Sequence, residues 1–559
     1  MKIQFFKKLI SIIIVYSSFS CSSDFLDTEP IGKMAPETFY TTMESADMAI
    51  TTCYSWFKIE KVWDLTIMMI MGSVASDEAE TGGGFKENIP EFQAVDQLRH
   101  DPYTPKILEW TWGYLYQAIN ACNIAIRELP NISEATDRNY DAQLLKSRIA
   151  EAHFLRAFNF FYLTKIFGGV PLVDHILVPD EYNMGRSEIS EVYELIKSDL
   201  AIAIRDLPRK SEWSDQIGRA SKEAAQALLA KLYLFESSYA KYCSDDIRFE
   251  GMTQNWDSVA YYSEQVINSG EFELVGLNGE RFHTWRDADT AVASTGGYQY
   301  IFMMDANNSK EGVFEIQCRN DGLGWFYSRG EALVTWCAPY VVNLKNGSTA
   351  YHGWGWWCPS DFLVSQYETG DPRYKASVLE REDSLLTSYG WVTPNFDELE
   401  FNTGNHRHSR KYECSPDEVI VGPSNWSMGP INIKMIRFAD VMLWAAEAYF
   451  EMNNESKSLE YINLVRQRAR NSGNDQNAVP PLTSLTHDDI VHERLVELAL
   501  EGHRFFDLVR WNLAEEYLNH TLIDGDQIEF KKGMHEFFPI PNQEILQSGG
   551  ALEQYPGWN

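Results

Sequence analysis

Two long stretches of this chain, 35–240 and 432–515, carry apolar residues at helical spacing, and nothing else in the sequence restricts the fold as strongly. Phe154, Phe158 and Phe161 recur along a segment that ends at Gly168-Gly169. Ser221 is placed to cap a helix whose inner face is Ala224, Leu228, Leu232 and Phe235. Leu459, Ile462, Val465 and Ala469 make another stripe. Thr486 and Asp489 have the spacing of a capping box, and Val491, Leu495, Leu498, Phe505 and Leu508 continue one face beyond it. A 3.6-residue apolar period marks amphipathic helices, each of which must bury a face on a neighbour. Helices in succession, joined by short turns, predict a mainly α fold of stacked helix pairs resembling a tetratricopeptide array, although that repeat's strict consensus is not visible.

The stretch from about 270 to 430 is of another kind. It holds 17 of the 35 glycines and 8 of the 17 tryptophans, has little periodicity, and is broken by turn signals at Asn307-Asn308, Asn346-Gly347 and Gly370-Asp371-Pro372. An insertion this long in a compact protein usually carries function. The expected layout is a leader over 1–20, a tether over 21–34, a helical region over 35–269, a loop-rich aromatic subdomain over 270–431, and a helical scaffold segment with a tail over 432–559.

The leader decides the compartment. Lys2, Lys7 and Lys8 precede the short apolar run Leu9 to Phe19, which ends at Ser20-Cys21. That run is too short to span a bilayer, which takes about 20 residues, and has the form of a cleaved signal peptide. Cys21 after small residues predicts lipoprotein processing, with Cys21 acylated. Ser18 stands where an aliphatic residue is usual, so ordinary cleavage after Ser20 stays open. Each buried methylene of an acyl chain contributes about 0.8 kcal/mol, so more than one chain anchors a protein firmly.

With 44% hydrophobic and 13% aromatic residues the chain forms a core rather than staying disordered. Its net charge is −32, more negative still without the leader lysines, and this argues against nucleic acid or an anionic membrane face as partner. Beyond Cys21 come Cys53, Cys122, Cys243, Cys318, Cys337, Cys358 and Cys414, with no CxxC pair. Cys337 and Cys358 are placed to pair across one loop, and buried free thiols are an equal reading.

Several segments together resemble the SusD/RagB family of outer-membrane lipoproteins. They are Cys21-Ser-Ser-Asp-Phe-Leu-Asp-Thr-Glu-Pro30; Ala150-Glu-Ala-His-Phe-Leu-Arg-Ala-Phe158 with Phe167-Gly-Gly-Val-Pro-Leu172; Gly218-Arg-Ala-Ser-Lys222 with Ala227 to Tyr233; Glu493-Arg494, Glu501 to Asp507 and Arg510-Trp511; Phe538-Pro-Ile-Pro541; and Pro556-Gly557. They run in the family's order over the whole mature chain. The resemblance implies about four tetratricopeptide-like helix pairs with a variable, loop-rich part. It implies lipid anchorage on the cell-surface side of the outer membrane and a partner, a TonB-dependent SusC-like transporter. The implied ligand is an oligosaccharide, or in some members a peptide. No cofactor is expected, although a calcium ion held by backbone carbonyls, as in some members, would leave no sequence pattern.

Three charged or metal-like groupings read as structure. Glu493, Arg494, Glu497, Glu501, His503, Arg504, Asp507 and Arg510 have the spacing of helix-surface or interhelical ion pairs. His492-Glu493 lacks the second histidine of a zinc-protease motif, since Val496 stands there. His406 and His408 with Cys414 lack a fourth ligand and read as solvated loop. The aromatic cluster is a sharper signal, because sugar rings present polarised C–H groups that stack on indole and phenol faces. Trp325, Tyr327, Trp336 and Trp354 are candidate ligand contacts, with core packing as the competing reading; Gly353-Trp354-Gly355-Trp356 also resembles a recurring family segment. Asp77, Phe85 and Phe92, around the Gly82-Gly83-Gly84 loop, form a second candidate surface. No residue stands out as catalytic; a glycoside hydrolase needs two carboxylates roughly 5–10 Å apart, and no motif picks such a pair.

Overall fold

The computed structural model describes residues 39–558 except 59–61, 83–89, 215, 288–292, 320–329, 339–340, 344–348, 352, 381–382, 384, 388–389, 393–406, 415–419, 422–426 and 524–525. It is 54% helical with few short strands, as the apolar period predicts. The main helices and strands, in chain order, are α1 (Met43–Ser55), β1 (Ala79–Gly82), α2 (Pro105–Glu128), α3 (Ala142–Phe167), α4 (Ile189–Asp206), α5 (Lys222–Tyr242), α6 (Trp256–Ile267), β2 (Gly312–Ile316), β3 (Trp356–Pro359), β4 (Ile433–Arg437), α7 (Phe438–Glu451), α8 (Glu455–Ser472), α9 (His487–Glu497), α10 (Arg504–Arg510) and α11 (Asn542–Gln547).

From α2 to α8 each helix packs on the next, and α6 lies directly against α7 although the long insertion separates them in the chain. The helical array is thus continuous across residues 270–431. β2 and β4 close the neck of the insertion as an antiparallel pair, Ile433 opposite Ile316 and Arg437 opposite Gly312, with bulges that shift the register. The sequence-level helix starts are present. The Ser221 hydroxyl accepts from the Ala224 N–H at 3.1 Å, and Thr486 and Asp489 cap reciprocally. Each satisfies N–H groups that a helix start otherwise leaves without partners.

Two expectations change in three dimensions. The stripe Phe154, Phe158, Phe161 belongs to a helix buried on every face, because α3 is covered continuously from Ala150 to Phe167. Its polar groups are matched inside: Arg156 makes paired hydrogen bonds to Asp199 at 2.8 Å, and the Glu151 carboxylate accepts from Tyr54 and Arg219. The face expected to run on from Val491 through Phe505 is broken. α9 stops at Glu497, and Leu500 and Gly502 take positive φ of 59° and 78° before α10 begins. The reason is a close approach of backbones. A Cβ on Gly72, in the π-helical turn Val62–Val74, would lie 2.4 Å from the Gly502 carbonyl oxygen, so the chain needs glycine on both sides.

Among the described residues no helix is long and apolar enough to cross a membrane. The seven cysteines from Cys53 to Cys414 are buried free thiols, Cys337 and Cys358 included. His408 and Cys414 are buried rather than solvated, because the strand His408–Ser409 pairs with Val378–Leu379; His406 lies outside the described residues.

Candidate functional site

The two candidate surfaces, far apart in sequence, meet in one place. β1 pairs antiparallel with β3, with Gly82 opposite Trp356 and Ala79 opposite Pro359. Glycine opposite an indole leaves that face clear for the ring. Trp336 stacks on Trp356 at 4.7 Å between centroids and 11° between planes. Trp354 meets both at near-edge angles, 5.0 Å from Trp356 and 5.9 Å from Trp336, and Phe92 closes the far side of Trp356 edge-on at 5.5 Å. Offset stacks and edge-to-face contacts are the favoured geometries for aromatic pairs.

This geometry separates the candidates. Trp336 and Phe92 are each only 6% exposed, so they are packing residues here rather than open platforms. Neighbouring rings already take the faces a sugar would need. Trp354 is half-buried and is the described candidate ring with a surface to offer. Trp325, Tyr327, Phe85 and Cys21 lie outside the described residues. Trp336→Ala is accordingly expected to cost about 3–5 kcal/mol of stability, the usual penalty for emptying a buried tryptophan site. A thermal melt of that variant indistinguishable from the parent would return Trp336 to the list of exposed contacts.

Local chain geometry explains the Gly-Trp-Gly-Trp-Trp order. A Cβ on Gly353 would lie 2.4 Å from the Ala338 carbonyl oxygen. The Trp354 N–H donates to the Thr335 carbonyl and the Gly355 N–H to that of Ala338, both at 2.9 Å, which ties the turn to the end of the short helix Leu333–Cys337. Gly355 has φ 68° and Trp357 φ 60°. The Trp357 ring turns inward, fully buried and stacked on Tyr412 at 5.7 Å, while Trp356 joins the cluster.

Beneath β1 lies part of the charged run from Glu493 to Arg510. The Arg504 guanidinium holds the Asp77 carboxylate in a bidentate pair, both bonds 2.7 Å. The carbonyl of neighbouring Glu78 accepts from the Ser360 N–H at 3.0 Å, joining β1 to the residue after β3. The Glu78 side chain accepts from the Leu500 N–H at 3.3 Å and pairs with the Ser73 hydroxyl. Burial pushes its carboxyl up to about 7; the two hydrogen bonds and Arg504 oppose that shift, and Asp77 adds to it.

The other members of the run are equally deep. Glu493, Glu497 and Arg510 have no exposed surface. Arg373 bridges Asp371, Glu493 and Glu497, Arg437 reaches Glu497 and Glu501 at 2.7 Å, Lys411 reaches Glu501 at 2.7 Å, and Arg510 pairs with Glu447 and Asp507. These are not surface pairs. They fasten Arg373 of the insertion to α9, Lys411 of the insertion to Glu501 just beyond α9, and Arg510 of α10 to Glu447 of α7. Sequence reasoning missed Arg373, Lys411, Arg437 and Arg468 as the partners; no local signal marks them, because each lies 29 or more residues from the carboxylates it meets in this run.

The comparisons agree with this architecture. A family model described as "SusD family" matches residues 311–558, and one described as "Starch-binding associating with outer membrane" matches residues 24–234. The chain is 26% identical to SusD-like protein P2 of Formosa agariphila, over 99% of each chain. Among solved structures it resembles a laminarin-binding SusD-like protein at TM-score 0.71 and 25% identity, covering 93% of this chain and 100% of that one. It also resembles surface glycan-binding protein A from Bacteroides fluxus at TM-score 0.72 and 22% identity, covering 92% and 100%.

Proposed function

Because the chain belongs to the SusD/RagB family, we propose that it is a surface-exposed outer-membrane lipoprotein, acylated at Cys21, that binds an oligo- or polysaccharide and delivers it to a TonB-dependent transporter. The observation that carries this reading is the convergence of Phe92, Trp336, Trp354 and Trp356 at the β1–β3 pair. The relatives reported above add weight, since two of them are named for binding laminarin or surface glycans. Buried rings set the position of Trp354, whose partly open edge is the contact. Hydrogen bonds to a sugar largely replace those it makes with water and each contributes little net free energy. Affinity in the micromolar to millimolar range follows, about −8 to −4 kcal/mol. The protein binds and releases its ligand without cleaving it.

The test is incubation of the purified protein with a panel of labelled oligosaccharides, laminarin fragments among them. Retention without cleavage is the expected result. Released reducing ends would make it a hydrolase, and retention of peptides alone would move it to the peptide-binding branch of the reading. Trp354→Ala should weaken retention about tenfold, the equivalent of roughly 1.4 kcal/mol, with little change in melting temperature. Cys21→Ala is expected to shift the protein from the membrane to the soluble fraction; unchanged detergent partitioning would remove the acyl anchor from the proposal.

A further inference from the structure

A groove of about 390 Å³ shares no lining residue with the aromatic cluster and is floored by Trp112 and Tyr116 of α2 and walled by Leu177, Met184 and Leu552. Eight large apolar side chains are strongly exposed among the described residues, and four of them belong to the elements around this groove. Tyr182, 62% exposed, lines it, and Val178, 54% exposed, follows Leu177. Leu546, 66% exposed, sits on α11 beside the wall residues Gln547 and Ser548. Tyr103, 70% exposed, is in the turn whose Pro102 carbonyl accepts from the Asn542 N–H at the start of α11. Contiguous exposed apolar surface on a folded protein marks an interaction site.

The walls and rim narrow the choice of occupant. Beside the leucine, methionine and proline walls, the Tyr116 hydroxyl is spent on the Pro171 carbonyl at 2.9 Å and the Ser548 hydroxyl on the Ile545 carbonyl at 2.8 Å. This leaves Tyr182, Glu544 and Gln547 as the polar side chains of the lining that face outward. The lining residues include Glu544 and no lysine or arginine, and Asp174 and Glu181 stand exposed on the same loop as Tyr182, sharing His175 between them. Arg186, the nearby cation, is turned inward, stacked on Tyr555 at 4.0 Å and donating to the Phe167 and Glu553 carbonyls. A second copy of this chain, at −32, would meet the rim with like charge. We propose that this groove docks an extended segment of a second protein, with one large apolar side chain entering between Leu177, Met184 and Leu552 and flanking lysines or arginines facing Asp174, Glu181 and Glu544. Apolar anchors with complementary charge at the rim are the usual anatomy of such contacts.

The inference goes beyond the glycan reading and does not use the aromatic cluster. A photo-crosslinking amino acid placed at Tyr182 or Leu546 of the full chain, in the cells that make it, should capture a defined peptide of another protein. Placed at Ile247 or Tyr261, exposed elsewhere, it should not. A synthetic copy of the captured peptide should then bind the purified protein, at least tenfold more weakly to Leu546→Glu or Tyr182→Glu, with unchanged melting curves and with affinity falling as salt rises. Capture no greater than at the control positions, capture of a second copy of the chain, a peptide without basic residues, or competition by oligosaccharide would each overturn the proposal. Trp354→Ala should leave the capture unchanged. A protein that captures the peptide yet retains no oligosaccharide would overturn the glycan reading alone.

Discussion

Glu497→Gln is expected to lower the stability of the protein by about 3–5 kcal/mol, the cost of breaking a buried ion pair from one side. The carboxylate is fully buried and faces Arg468, Arg437 and Arg373. Glutamine keeps the shape but leaves the three guanidinium groups, still paired with Asp371, Glu493, Glu501 and Glu311, with one negative charge fewer in the interior. Burial by itself would push the Glu497 carboxyl up, and the three arginines outweigh it, holding it down at about 2 against an ordinary 4.5. A depressed folded-state value means that the pair's stabilisation is present above the ordinary value. It is lost as pH falls from 4.5 through about 2, where the unfolded chain takes up the proton more readily. Urea unfolding midpoints measured between pH 6 and pH 2 should therefore drop for the parent protein and drop less for Glu497→Gln. Equal midpoints for the two proteins at pH 6 would mean that the network is not a working part of the scaffold.

Glu78→Gln should do the reverse and stabilise the protein at alkaline pH. With its folded-state carboxyl raised to about 7, Glu78 contributes stability that is present below 4.5 and is lost as pH rises through 7, when a buried charge must form. The shift corresponds to roughly 3 kcal/mol at 1.36 kcal/mol per unit. Glutamine is neutral at every pH and keeps an oxygen to accept from the Leu500 N–H, so the variant should melt above the parent at pH 8 and close to it at pH 4. Asp77 and Arg504 are the charged neighbours that act on this carboxyl, and Asp77→Asn measured alongside tests whether their pair, rather than burial, sets the value. A parent whose melting temperature is flat between pH 4.5 and 8 would contradict the assignment. Because Glu78 precedes β1, the same substitution reports on how firmly the aromatic cluster is held.

Helices were legible in the sequence because their signals are local. The stripes ending at Gly168-Gly169 and starting at Ser221 need only a 3.6-residue period and a capping hydroxyl, and both sit within a few residues of the backbone they govern. The family segments were legible for a related reason, since Ala150–Phe158 lies along one helix and Glu501–Asp507 spans one turn and the helix start it leads into. Burial of the charged run was not legible. Glu493, Glu497 and Glu501 one turn apart look the same on a solvated helix as on a buried one, and the cations that decide the matter come from Arg373, Lys411, Arg437 and Arg468.

Composition placed the aromatic rings in the right region without saying which faces were open. Trp336 is closed by Trp356, and Phe92 reaches Trp356 only because β1 pairs with β3. Nor does spacing foretell the break between α9 and α10, which a backbone contact between Gly72 and Gly502 imposes from more than four hundred residues away. What the sequence by itself determined is what short-range forces determine: where helices start and the apolar stripes they carry. Tertiary structure decided which charges are buried and which ring remains half-open, because burial is set by all the surfaces that meet at a point, and those surfaces are supplied by residues that the linear order keeps far apart.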